Sequence, residues 1–250
     1  MQSKFFNHQG ASLHYQIGGK ETAPVMVLLH GGFGSISDFE SLLPRLLQNY
    51  RVIAVDTRGH GRSTLGTASL TYAQAADDVR QILRSESVEN YSLFGFSDGG
   101  ITAYRLGAED ENVEKIITVG AEWHQKHLSG VREIFEAVNL DFVKKNLSGQ
   151  LAAYQADNPE PDVEKWAAAL RTMWLDESES GYPNESVREI TANVLAIRGE
   201  ADFLLAFDDW AELKTELPDV HLMNVPFAAH EAIKEQPEII WAAVQAFQAL

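Results

Sequence analysis

Residues 91–100 read YSLFGFSDGG and join a run of apolar residues to a serine that stands among glycines. Gly95-x-Ser97-x-Gly99, placed between a buried strand and a helix, is the pattern of a nucleophile elbow. The elbow is a strained turn, and glycines beside it avoid collisions between side chains and neighbouring backbone. The segment therefore predicts that Ser97 is a nucleophile held above the strand ends. The alternative is a glycine turn without chemistry, or one that holds phosphate.

Short apolar runs on either side of the elbow predict the architecture. They are rich in Val, Ile and Leu, as is typical of strands buried on both faces. The runs are residues 25–30, 51–56, 91–96, 115–120, 194–198 and 221–225. Apolar residues repeat with helical spacing over 71–88 and again after Pro237. Alternating strands and helices predict an α/β fold with a mostly parallel central sheet flanked by helices, and residues 4–17 predict an antiparallel hairpin at its edge.

One long segment lacks a strand-like run. Residues 122–186 contain helix-compatible stretches at 131–138, 140–147 and 163–175. We expect a small helical cap insertion over 122–186, which divides the core into a first part, 1–121, and a second part, 187–250. The length of 250 residues fits one large α/β domain with such an insertion.

Composition narrows the partners. The net charge of −16 disfavours binding to nucleic acid and to anionic membranes. The chain has no cysteine, which excludes disulfides, thiolate nucleophiles and Cys-ligated zinc. It also lacks the glycine-rich nucleotide motifs and the His-Glu-x-x-His metal motif, so we expect no cofactor and no metal. Without a signal peptide or a membrane-spanning run, we expect a soluble, cytoplasmic monomer or small homo-oligomer that acts on a small-molecule ester.

A serine nucleophile needs a base, and the base needs a carboxylate to orient it. Among the eight histidines, His230 in PFAAHEA follows the last predicted strand and is the best candidate. Asp202 in RGEADFLL follows another strand end and is the favoured acid. The rival acids are Glu200, Asp208 and Asp209. The chain order Ser97, Asp202, His230 is the order of the catalytic triad in hydrolases that carry a nucleophile elbow.

The oxyanion of an acyl-transfer reaction needs backbone N–H donors. The amide of Asp98, at the start of the helix after the elbow, is one candidate. The loop HGGFGS at residues 30–35 supplies the other, from Gly32 or Phe33, and both stay open with a preference for Phe33.

The motifs HGGFGS, DTRGHGRS, GFSDGG, RGEAD and AAHEA resemble those of the α/β-hydrolase superfamily in order and spacing, over nearly the whole chain. Within it, LFGFSDGGITAY resembles the elbow of the valacyclovir hydrolase (biphenyl hydrolase-like) group. The resemblance implies the α/β-hydrolase fold and a triad of Ser97, Asp202 and His230. It also implies cleavage of esters, notably α-amino acid esters, with Asp98 facing the substrate ammonium. The alternative role for Asp98 is to cap the helix that it opens.

The sequence therefore predicts a serine hydrolase that cleaves a small ester or related acyl compound through an acyl-serine intermediate. We expect Trp123 and Trp174 of the cap to bind substrate, the alternative being internal packing. Other uses of the same triad are C–C bond hydrolysis, lyase chemistry and perhydrolysis. A ligand-sensing protein with little turnover and an interaction module are the remaining alternatives. Carbon–halogen and epoxide chemistry are disfavoured, because they usually use a carboxylate nucleophile.

Overall fold

The structure, a computed structural model, describes all 250 residues and contains one eight-stranded sheet. The strands are β1 (Gln2–His8), β2 (Ala11–Gly18), β3 (Val25–Leu29), β4 (Arg51–Val55), β5 (Tyr91–Phe96), β6 (Val113–Val119), β7 (Asn193–Gly199) and β8 (His221–Val225). Their spatial order is β1-β2-β4-β3-β5-β6-β7-β8. The β1–β2 and β2–β4 pairs are antiparallel and all the others are parallel. The predicted mostly parallel sheet with an edge hairpin is confirmed.

Helices cover both faces of this sheet. They are α1 (Leu43–Asn49), α2 (Tyr72–Ser85), α3 (Asp98–Glu109), α4 (Arg132–Glu136), α5 (Leu140–Asn146), α6 (Ser148–Asp157), α7 (Val163–Trp174), α8 (Phe207–Glu216), α9 (Ala232–Glu235) and α10 (Pro237–Gln248). None of them is long and apolar enough to cross a membrane.

The core is split by the alternation of side chains along the strands. Val27 and Leu29 of β3 join the cluster that contains residues of α2, α3, α8 and the helices between β6 and β7. Met26 and Leu28 of the same strand join the cluster with α1, α9 and α10 on the opposite face. Successive side chains of a strand point to opposite faces, so a strand covered on both faces is apolar throughout. This accounts for the continuous apolar runs in the sequence.

Four helices, α4 to α7, lie between β6 and β7 and form the cap. A 3₁₀ turn at Gln125–Gly130 precedes them, and another at Asn184–Glu189 leads the chain back along α3 toward β7. Three of the four correspond to predicted helical stretches. The fourth, α6, was not predicted because it buries only Tyr154 and its apolar residues do not form a clear face. The boundaries at residues 122 and 186 stay predictions.

The six parallel strands place the loops that follow them at one edge of the sheet. The carboxyl ends of β3, β4, β5, β6, β7 and β8 face this edge, as the paired registers of neighbouring strands require. In open α/β sheets, ligands bind at this edge. It carries every residue that sequence analysis assigned to the chemistry.

Candidate active site

The turn after β5 holds Ser97 in a strained backbone conformation. Its φ is 50° and its ψ is −118°, a backbone conformation that residues other than glycine rarely adopt. A Cβ atom on Gly95 would lie 2.3 Å from the carbonyl oxygen of Gly99, and one on Gly99 would lie 2.0 Å from that of Leu29. Both positions therefore require glycine because backbone approaches backbone, and this packing holds the strained serine in place.

A hydrogen-bonded chain links the three predicted catalytic side chains. Ser97 Oγ lies 3.0 Å from His230 Nε2, and His230 Nδ1 lies 3.0 Å from both carboxylate oxygens of Asp202. An ionised carboxylate only accepts hydrogen bonds, so Nδ1 carries the imidazole proton and Nε2 is free to accept from the serine hydroxyl. Asp202 is held in turn, because its Oδ1 accepts from the backbone amides of Leu204 and Leu205 at 2.9 and 3.1 Å.

The rival acids lie elsewhere. Glu200 accepts from the amide of Phe227, while Asp208 and Asp209 lie in the first turn of α8. No hydrogen bond joins any of the three to His230. Of the candidates weighed in the sequence, Asp202 alone stands behind the imidazole.

Other histidines near the site are engaged in the framework. His30 donates through Nδ1 to the carbonyl of Gly31 and accepts through Nε2 from the amide of Thr57. His60 is buried beside it, and burial lowers the pKa of His60 to about 3. At neutral pH His60 is therefore uncharged.

Sequence reasoning missed two residues that shape the triad. Arg198 is buried at the end of β7, and its guanidinium donates to the carbonyls of Asp202, Leu205 and Glu200 at 3.2, 2.7 and 3.0 Å. It thereby fixes the loop that carries the acid. The available signal was an arginine inside an otherwise apolar strand, where a buried charge requires partners.

Gly120 is the second. Its φ is +62°, and a Cβ atom there would lie 3.1 Å from the His230 ring. A side chain at this position would crowd the imidazole. The signal was a glycine directly after the apolar run of β6.

Three amide groups beside Ser97 lack protein acceptors. The N–H groups of Gly32, Phe33 and Asp98 form no hydrogen bond within the chain, whereas the amide of Gly31 donates to Asp38 at 3.1 Å. Buried or partly buried amides without partners are unusual and are suited to a charge that develops during a reaction. Asp98 opens α3, so its amide also lies at the positive end of a helix. Gly32 and Phe33 both stay candidates for the second donor.

A cavity of about 500 Å³ opens above Ser97 and His230, beneath the cap. Its lining is mostly apolar, as is usual for small-molecule sites. The cap supplies much of that lining through Val131, Ile134, Phe135, Val138, Phe142 and Leu147. Its charged lining residues other than histidine are Asp98, Glu122, Glu231 and Glu235, and it has no lysine or arginine.

Trp174 lines this cavity, as expected, but Trp123 does not. The indole of Trp123 is buried, and its Nε1 donates to the carbonyl of Asp209 on α8 at 3.0 Å. The structure therefore does not bring Trp123 into the lining of the cavity. After β6 the chain turns this side chain toward α8 rather than toward the cavity.

The Asp98 carboxylate lies at the floor of the cavity and is already hydrogen-bonded. It accepts from Tyr72 Oη at 2.8 Å and from Trp174 Nε1 at 2.9 and 2.8 Å. Burial raises the pKa of Asp98, while the two donors act in the opposite direction. Trp174 Nε1 can only donate, so the Asp98 oxygens act as acceptors toward the indole, whereas Tyr72 Oη can donate or accept.

The closest approach to a metal-ligand cluster consists of Glu122, His127 and Asp209, with ligand atoms within 4.8 Å of one another. His127 Nδ1 lies 2.6 Å from Glu122 and Nε2 lies 3.1 Å from Glu212. Burial alone would lower the pKa of His127, but its bonds to these carboxylates raise it. The group is therefore satisfied as an ion-pair network between the cap and α8.

Comparisons with known proteins agree with this architecture. A 3-oxoadipate enol-lactonase of Acinetobacter baylyi is 27% identical over 252 residues, covering 93% of this chain and 91% of the relative. A 2-(acetamidomethylene)succinate hydrolase of Mesorhizobium japonicum is 24% identical and covers 91% and 89%. The crystal structure of an enol-lactonase from Burkholderia xenovorans is 19% identical, has a TM-score of 0.77 and covers 99% of this chain and all of its own.

The match extends to the family level. The family model for the alpha/beta hydrolase fold matches residues 24–237, which include the elbow, the acid loop and His230. The narrower resemblance to the valacyclovir hydrolase group stays a prediction. The elbow between β5 and α3, the sheet order and the family model agree, and this chain belongs to the α/β-hydrolase family.

Proposed function

We propose that this hydrolase cleaves small carboxylic esters through an acyl-serine intermediate. One observation carries the proposal, namely the hydrogen-bonded chain from Ser97 through His230 to Asp202 at the floor of a mostly apolar cavity. Amides without acceptors lie beside the serine, where the reacting carbonyl oxygen would develop charge.

The reaction follows from the positions of these groups. His230 Nε2 takes the proton of Ser97 as Oγ bonds to the ester carbonyl carbon, and the amides of Asp98 and of Gly32 or Phe33 bind the oxyanion. The tetrahedral intermediate then collapses, and the imidazolium gives its proton to the leaving alkoxide. Water, deprotonated by His230, attacks the acyl-serine, and the same proton path restores the serine and releases the acid. Asp202 stabilises the imidazolium in both halves.

The charges of the cavity support a substrate class. Four acidic side chains and no lysine or arginine line it, of which Glu122 is paired with His127 and Glu231 with Lys234, and the whole chain carries a net charge of −16. The two relatives named above act on compounds whose names denote carboxylates. In this cavity a substrate carboxylate would meet like charge, so we propose neutral and cationic acyl groups, including α-amino esters, as substrates. At a separation of about 6 Å and an effective dielectric constant of about 20, one such repulsion is about 2–3 kcal/mol.

Turnover of p-nitrophenyl butyrate and labelling by a fluorophosphonate probe test the reaction. Ser97→Ala should lose both, because it removes the nucleophile, whereas Ser69→Ala, at an exposed position outside the cavity lining, should retain both. Unchanged turnover in Ser97→Ala would refute the proposal. A burst of one nitrophenolate per chain without further turnover would instead favour a ligand-sensing protein.

Matched pairs of esters test the substrate class. p-Nitrophenyl hydrogen succinate has the four-carbon chain of the butyrate with a carboxylate in place of the terminal methyl group, and its kcat/KM should be at least about tenfold lower. The p-nitrophenyl ester of alanine differs from the propionate by one ammonium and should be the better substrate. Equal use of all four esters would contradict the proposed charge selection.

A further inference from the structure

The elbow acid is part of a contact between three segments of the chain. Asp98 lies beside the nucleophile, Tyr72 is the first residue of α2, and Trp174 is the last residue of the cap helix α7. Tyr72 and Trp174 both donate to the Asp98 carboxylate. Hydrogen bonds to an ionised acceptor are stronger and more directional than those between neutral groups. We call this group, Asp98, Tyr72 and Trp174, the clasp.

A tyrosine beside the clasp, Tyr182, holds the backbone of the cap at this point. Tyr182, which follows the cap helices, donates through its hydroxyl to the carbonyl of Trp174 at 3.2 Å. Its ring packs at 5.1 Å against that of Tyr72. The last turn of α7 is therefore fixed on the core from two sides.

The loop at residues 30–35, called here the oxyanion loop, packs against the Trp174 indole. A Cβ atom on Gly32 would lie 2.6 Å from Asp98 Oδ2 and 2.6 Å from Trp174 Cζ2, so the loop backbone is packed directly against both. The ring of Phe33 meets the Trp174 indole edge-on at 5.5 Å. Any displacement of this indole would shift the loop whose amides stand beside Ser97.

We propose that Trp174 is a positioning residue, anchored by the Asp98 carboxylate, that sets the Gly32–Phe33 amides against the reacting carbonyl. The inference rests on the proposed ester hydrolysis, and it assigns the elbow acid to the assembly of the oxyanion site. Asp98 thus serves both proposed oxyanion donors. Its own backbone amide is one of them, and its carboxylate binds Trp174, against which the Gly32–Phe33 amides are packed.

Three variants test the clasp on the neutral substrate p-nitrophenyl butyrate. Trp174→Phe removes the indole N–H and leaves the Asp98 charge in place. We expect kcat to fall by about 10- to 100-fold with KM changed less than about threefold, because misplaced oxyanion donors affect the transition state. Tyr72→Phe removes a single hydroxyl and should lower kcat by a smaller factor. Asp98→Asn combined with Trp174→Phe should cost little more than Trp174→Phe alone, since the two side chains act as one unit.

Inhibition by an alkyl trifluoromethyl ketone adds a readout that a loss of folding does not produce. The ketone forms a tetrahedral adduct with the serine and needs the oxyanion donors, so its Ki should rise by the factor by which kcat/KM falls. Trp123→Phe is the matched control. It removes an indole hydrogen bond to a backbone carbonyl in a buried tryptophan away from the cavity, and it should leave kcat and Ki unchanged even where Tm falls.

Four results would overturn the clasp. They are a kcat within about threefold of the unaltered protein in Trp174→Phe, a loss carried by KM alone, an equal kcat loss in Trp123→Phe, and multiplying losses in the double variant. Each of them leaves ester hydrolysis standing, because the unaltered protein is then active. Failure of the unaltered protein to turn over any ester refutes the proposed function instead.

Discussion

Replacing Asp202 by asparagine should reverse the tautomer of His230. Oδ1 of Asp202 accepts from the amides of Leu204 and Leu205, so in the variant the amide oxygen should take that place. The Nδ2 group then takes the place of Oδ2, which lies 3.0 Å from His230 Nδ1 as Oδ1 does, and it can only donate. His230 Nδ1 must become an acceptor, which moves its proton to Nε2, the atom that faces Ser97. An Nε2–H cannot accept the proton of the serine hydroxyl.

The magnitude follows from this reversal. Loss of the reactive tautomer and of the negative charge behind the imidazolium should lower kcat by about 10⁴-fold, the scale of the same change in a serine protease triad. That factor corresponds to about 5.4 kcal/mol of transition-state stabilisation. The free energy of unfolding should change much less, by about 1 kcal/mol, because the side chain keeps its two hydrogen bonds from backbone amides. Activity and stability should therefore separate.

The assay is the kcat for p-nitrophenyl butyrate, measured beside the free energy of unfolding in urea. Asp208→Asn is the control, because it makes the same change in the exposed first turn of α8 without a bond to His230. Its kcat should match that of the unaltered protein. A kcat within about tenfold of normal in Asp202→Asn would show that the orientation of the imidazole does not limit this reaction. An equal loss in Asp208→Asn would refute the assignment of the acid.

Two further predictions concern the framework. Gly99→Ala should lower the free energy of unfolding by about 3 kcal/mol or more, because its Cβ would meet the carbonyl of Leu29. Gly149→Ala should raise the free energy of unfolding by about 0.5–1 kcal/mol, because Gly149 lies in a helix and faces open space. Urea unfolding measures both changes and distinguishes their signs. The pKa of His127 is raised, so the ion pairs of His127 stabilise the fold fully below about pH 6.5 and are lost as pH rises through the folded-state pKa. His127→Gln should remove that loss from the pH profile of unfolding above about pH 6.5, and an unchanged profile would contradict it.

The sequence was informative where backbone geometry restricts residue choice. Only glycine fits at Gly95 and Gly99, because each lies against the main chain. The elbow could therefore be recognised in the sequence from Gly95, Ser97 and Gly99. Strands covered on both faces are apolar throughout, and the residues that follow them reach one edge. The sheet and the meeting of Ser97, Asp202 and His230 were therefore predictable before any coordinates.

The contacts of the cap were not predictable in the same way. Trp123 and Trp174 are both buried tryptophans, and their sequence surroundings do not show that one faces α8 and the other the cavity. The partners of Asp98 lie 26 and 76 residues away along the chain. Such pairings depend on how the cap docks on the core, which no local periodicity encodes.

Different parts of the cap contact the cavity and the elbow. The helices α4 and α5 line the cavity with apolar side chains, and α4 buries none of its residues. The end of α7, in contrast, is bonded to the elbow and packed against the oxyanion loop. We therefore expect changes in α4 and α5 to alter which acyl group fits, while the amides proposed to bind the oxyanion keep their place. In the proposed mechanism Asp98 supplies both an oxyanion amide and the anchor of α7, so we expect the geometry of the reaction to depend on this contact and the substrate range to depend on the part of the cap outside it.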